Sequence, residues 1–61
     1  MKLSKKQKQA IDLLKEEKSI CIDDNRLHKN TMNSLYFKGL VRFPKYENGE
    51  FWELTDKGLN V

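Results

Sequence analysis

Residues 31–58 most narrow what this chain can fold into. An apolar-periodic segment stops at Gly39, an alternating segment runs from Leu40 to Tyr46, and the dipeptide Asn48-Gly49 precedes a returning run through Trp52 and Leu54. Met32, Leu35 and Tyr36 recur at i, i+3 and i+4, the spacing of one helix face. Thr31, or Asn30 before it, supplies a side-chain oxygen to cap that helix. Gly39 ends it by taking the left-handed conformation past the last turn, which carries Lys38. Asn-Gly between alternating runs is the strongest short-range hairpin signal. The segment therefore predicts a helix over 30–38 feeding directly into a β-hairpin.

A two-residue Asn48-Gly49 turn pairs Glu47 with Glu50, Tyr46 with Phe51, Lys45 with Trp52 and Phe43 with Leu54. Val41, Phe43, Trp52 and Leu54 then share one face, which must be the core face. Arg42, Pro44, Tyr46, Phe51 and Glu53 share the other. Pro44 has no backbone donor, so its strand is expected at a sheet edge. Thr55 or Asp56 opens a final turn that Gly58 ends.

Upstream, Ser4 and Gln7 have the spacing of a capping box, in which each side chain satisfies the other's free backbone N–H. Ala10, Ile11 and Leu14, widened by Leu13, give a helix over 5–18 an apolar face. The β-branched piece 19–22 reads as one strand added to the hairpin, with Ile20 and Ile22 on one side and Cys21 packed as a small residue on the other. Asp23 or Asp24 can cap a very short helix over 25–28, with Leu27 inward.

A chain of 61 residues is one domain. At that size about 60% of the unfolded surface is buried, so nearly every large apolar residue is needed inside. There is no room for a deep enzyme cleft. The single Cys21 excludes an internal disulfide, and one Cys with one His28 gives no zinc set. Nothing supplies a nucleophile with a base and an oxyanion hole, and Asp23-Asp24 lacks the spacing of a calcium loop. Neither an enzyme, a metal nor a cofactor is expected. No signal peptide or apolar run of roughly 20 residues is present, so a cytoplasmic protein without a membrane partner is expected.

The formal charge of +3 is uneven. Residues 1–18 hold six lysines against three acids, whereas residues 40–61 hold three bases against four acids. Lys5, Lys6 and Lys8 oppose the dipole of the first helix, so helix stability does not explain them. Their two readings are a solubilising face or phosphate contact.

The order helix, strand, helix, helix, strand, wing, strand covers nearly the whole chain and resembles the winged helix-turn-helix superfamily. It is most similar to small prokaryotic and phage regulators of the MarR and PadR type. The residues that carry this are Thr31, Leu35, Gly39-Leu40-Val41 and Trp52, Leu54-Thr55 and Gly58. The resemblance implies an α+β fold of three helices with a small antiparallel sheet. It also implies a DNA-binding transcriptional regulator or accessory factor whose helix 30–38 enters the major groove of double-stranded DNA. Base contacts would then come from Asn30, Thr31, Asn33 and Ser34. Asn33 suits an adenine edge and Ser34 either base type. Lys5, Lys6, Lys8, Lys29, Lys38, Arg42 and Lys45 would hold phosphates.

The chain departs from this pattern in three ways. The second helix is about one turn short, the wing carries Glu47, Glu50 and Glu53, and the long helices that dimerise MarR-type and PadR-type proteins are not among these residues. The alternative on the same fold is a protein-interaction module, for example a phage-encoded modulator of a host protein, or a weak homodimer. Phe37, Tyr46 and Phe51 are its candidate interface.

Overall fold

The computed structural model describes residues 2–61. Helix α1, Lys5–Glu17, starts at the expected capping box: Gln7 N–H donates to Ser4 Oγ at 3.2 Å and Ser4 N–H to Gln7 Oε1 at 2.8 Å. Ala10, Ile11 and Leu14 are buried along it and Leu13 is partly buried. The helix ends without a glycine. Lys18 takes φ 69° and donates its N–H to Leu14 O at 2.8 Å.

Strand β1, Ser19–Cys21, buries Ile20 and leaves Cys21 exposed. The expected packing of Cys21 is thus wrong, because this strand forms a sheet edge with only one face on the core. The expected helix over 25–28 is also absent, and turns occupy that stretch. The local side chains offer the backbone another partner. Arg26 N–H donates to Asp24 Oδ1 at 2.8 Å, and Leu27 N–H to Asp24 O at 3.2 Å. The Arg26 guanidinium bridges Asp24 and Glu17 of α1. Leu27 is buried as expected.

This clasp is pH-dependent. Side-chain and backbone hydrogen bonds from Arg26 lower the Asp24 pKa from its ordinary 3.8 to about 2, and the pairing raises that of Arg26. A carboxylate whose folded pKa is depressed stabilises the fold above its unfolded value, and that contribution is lost as pH falls through the folded one. Wild type is therefore expected to lose more melting temperature than Asp24→Asn between pH 4 and pH 2. Parallel thermal melts of the two proteins check this.

Helix α2, Lys29–Phe37, starts earlier than its side chains predict. His28 is the N-cap residue and no side chain caps the helix, so Asn30 and Thr31 lie inside the first turn. Met32 and Leu35 are fully buried, whereas Tyr36 is 45% exposed, a correction to its inward assignment. Gly39 follows with φ 76°, and Leu40 N–H donates to Leu35 O at 3.0 Å.

The hairpin comprises β2, Val41–Arg42, and β3, Lys45–Tyr46, both antiparallel to β4, Gly49–Leu54. Strand β4 also pairs with β1, which gives a four-stranded sheet ordered β1-β4-β2, with β3 extending the β2 side. Phe43 and Pro44 interrupt the ladder, although Phe51 N–H still donates to Pro44 O at 3.2 Å. Pro44 lies at the sheet edge, as its missing donor requires.

The register differs from expectation. Tyr46 faces Gly49 and Lys45 faces Glu50, because Glu47-Asn48 forms the turn. Gly49, at φ 123°, supplies the positive angle that Asn48 does not. The pairing moves by two residues, and because the side-chain period is two, the predicted faces keep their members, although Phe43, expected in the core, is 39% exposed where the ladder is interrupted. The rings of Phe43 and Trp52 meet on the core face with centroids 5.2 Å apart.

A third helix follows the hairpin. Helix α3, Asp56–Leu59, is capped by Thr55, whose Oγ1 accepts the Gly58 N–H at 3.1 Å. Thr55 also donates its hydroxyl to Gly39 O at 2.6 Å and its N–H to Leu40 O at 3.0 Å. Gly58 therefore lies inside this helix, buried, rather than ending a turn. The domain is α+β, with three helices and a four-stranded antiparallel sheet. Its core gathers α1, β1, Leu27, α2, Leu40, Val41 and Trp52.

Candidate functional site

With Met32 and Leu35 turned inward, helical periodicity turns Asn30, Asn33, Ser34 and Phe37 outward. Asn30 and Asn33 are exposed, and neither side chain bonds to another described residue. Ser34 differs. It is half-buried, and Gln7 Nε2 donates to its Oγ at 2.7 Å, which ties α2 to the start of α1. Gln7 thus spends one end of its amide on the Ser4 cap and the other on Ser34. Its capping role was readable in the sequence. A link across 27 positions was not.

The uncapped start of α2 opens onto a groove of about 440 Å³ lined by Lys6, Asn25, Arg26, His28 and Thr31 among others. Its first-turn N–H groups have no side-chain acceptor, and such a terminus favours an anion. Lys29 begins the helix beside it and is exposed. The three lysines in the first two turns of α1 do not share one cleft. Lys6 lines this groove, whereas Lys8 lines a separate cleft with Asp12 and Val61. Lys5 is exposed, and Lys38 is half-buried just past the end of α2.

The hairpin bases are matched by acids. Arg42 donates to Glu53 Oε1 at 2.9 Å across the β2–β4 pair, and Lys45 lies 3.9 Å from Glu50 across β3–β4. Tyr46 Oη donates to the other oxygen of Glu53 at 2.8 Å, which raises the Tyr46 pKa. Glu47 is left exposed at the turn. The hairpin therefore offers no surplus positive charge.

The three candidate interface aromatics fall into two groups. Tyr46 and Phe51 pair on the outer sheet face with centroids 5.8 Å apart. Phe37 meets Tyr36 at 6.1 Å, and Tyr36 meets Phe43 on the core face at 5.3 Å. Between α2 and the hairpin lies a second groove of about 330 Å³, with Leu27 and Trp52 at its base and Lys29 and Asn33 on one side.

Among the described residues, no group of His, Cys, Asp and Glu could hold a metal ion, and no helix is long and apolar enough to cross a membrane. Compared with family models, curated proteins and solved structures, the chain matches none.

Proposed function

We propose that this chain is a small winged-helix DNA-binding protein, a transcriptional regulator or accessory factor, that sets α2 in the major groove of double-stranded DNA. The observation that carries this reading is the outer face of α2. It holds two unengaged amide side chains, Asn30 and Asn33, beside an uncapped helix start flanked by Lys6 and Lys29. An Asn amide matches the N6 and N7 edge of adenine, and lysines with helix N–H groups match phosphates. Thr31 and Ser34 border that face, and Lys38 supplies charge at the far end of α2. The hairpin is a minor contact, because Arg42 and Lys45 are already opposed by Glu53 and Glu50.

A monomer with so few contacts binds mixed-sequence duplex at roughly 10⁻⁴ to 10⁻⁶ M. NMR titration with a short duplex is expected to shift the amides of residues 28–38 and of Lys6 first. Asn33→Ala is expected to weaken an A·T-rich duplex about tenfold, within the usual worth of a bidentate base contact. Shifts confined to the sheet would refute the groove reading.

The Tyr46–Phe51 pair favours a second reading, a protein-interaction module on the same fold. The exposed Tyr46 ring against the half-buried Phe51, beside an acidic turn, suits a protein surface better than phosphate. Tyr46→Ala/Phe51→Ala that leaves DNA titration unchanged but loses a captured protein would assign that face to a protein partner.

A further inference from the structure

Phe37 is 86% exposed, more than any other large apolar side chain described. Its ring touches Tyr36 edge-on and is absent from the core. Burial therefore does not explain the residue, and its place on the helix is informative. Asn30, Asn33, Ser34 and Phe37 stand at i, i+3, i+4 and i+7, so Phe37 extends the same outward row as the amides.

One apolar group projects from base edges into the major groove, the 5-methyl of thymine, and it is read by apolar contact, phenylalanine included. The adenine edge that suits Asn30 and Asn33 belongs to the same kind of base pair. Along the helix, Phe37 lies about 6 Å from Asn33 and about 10 Å from Asn30 at 1.5 Å per residue. Those spans correspond to roughly two and three base steps of 3.4 Å. An amide row ending in a phenyl ring is complementary to a short A·T run. We infer that Phe37 is a specificity residue that reads the thymine methyl, which gives the domain a preference for A·T-rich duplex. This inference rests on the groove reading of α2.

The test uses two A·T-rich 20-base-pair duplexes of one sequence, the second with deoxyuridine in place of every thymine. Deoxyuridine keeps the charge and every hydrogen-bonding group and lacks only the methyl. Wild type is expected to bind the thymine duplex about fourfold more tightly, the effect of burying one methyl-sized group. Phe37→Ala is expected to bind both duplexes equally, at the affinity of wild type for the uracil duplex. Because the side chain lies outside the core, the variant should keep the wild-type amide spectrum, which verifies its fold. Equal binding of both duplexes by wild type, with amide shifts on α2, overturns the role of Phe37 and leaves the groove reading standing. A fourfold difference that survives in Phe37→Ala also overturns it, since another group then senses the methyl. If neither duplex shifts α2, both readings are overturned.

Discussion

Gly58→Ala is expected to melt about 12–24 °C below wild type. A Cβ at this position would lie 2.1 Å from the carbonyl oxygen of Leu40 and 3.1 Å from Leu54 Cδ2. The oxygen cannot swing aside cheaply, because it accepts the Thr55 N–H at 3.0 Å and belongs to a fully buried residue. Forced overpacking of this kind costs about 3 kcal/mol. A 61-residue domain has roughly 3–9 kcal/mol in total at 0.05–0.15 kcal/mol per residue. Each kcal/mol moves the midpoint of a domain near this size by about 4–8 °C.

Gly39→Ala and Gly49→Ala are the controls. Neither added methyl meets an atom within 4 Å, so their cost comes only from backbone angles of +76° and +123°. A left-handed non-glycine residue costs roughly 1–2 kcal/mol, so both should melt above Gly58→Ala. Circular dichroism melts of the three variants decide the order. A Gly58→Ala midpoint at or above that of Gly39→Ala would mean that α3 is not docked on Leu40.

The same contact shows what the sequence conceals. Local reading takes Gly58 as a stop signal, since nothing nearby in the chain reveals a carbonyl pressed against it from 18 positions away. The features that were legible are local or periodic: the Ser4–Gln7 box, the buried face of α1, Met32 with Leu35, and the two hairpin faces. The side-chain period of two fixed those faces, but it could not choose between pairings two residues apart. That choice decides the electrostatics. In the expected register Lys45 faced Trp52, whereas in the observed one Arg42 faces Glu53 and Lys45 faces Glu50. Composition shows that acids outnumber bases there, and the register shows which acid faces each base.

On the candidate site, Asn30 and Asn33 were legible as the residues opposite Met32 and Leu35. The engagement of Ser34 by Gln7 was not, and neither was the missing cap at His28. The cap was misplaced because Asn30 and Thr31 are good capping residues by type. The helix instead begins at Lys29, after Leu27 has been drawn into the core. With the helix starting at Lys29, Asn30 and Thr31 fall inside its first turn and cannot serve as its N-cap.

Raising salt from 50 to 200 mM is expected to weaken duplex binding by wild type about 40-fold. Lys6, Lys29 and Lys38 flank α2 and are the three phosphate contacts of the groove reading. Each neutralised phosphate contributes about −0.9 to the slope of log K against log salt, so three give a slope near −2.7. Arg42 and Lys45 add little, because moving them to phosphate would break their pairs with Glu53 and Glu50. Lys8 lies in the cleft beside Asp12 and Val61. Replacing Lys6, Lys29 and Lys38 together by glutamine should therefore nearly abolish the salt dependence, while Lys8→Gln should keep it. Fluorescence anisotropy of a labelled duplex at four salt concentrations yields each slope directly. A Lys8→Gln slope reduced by about 1, with that of the triple variant unchanged, would shift the contact surface to the α1–C-terminal cleft and exclude α2 as the groove element.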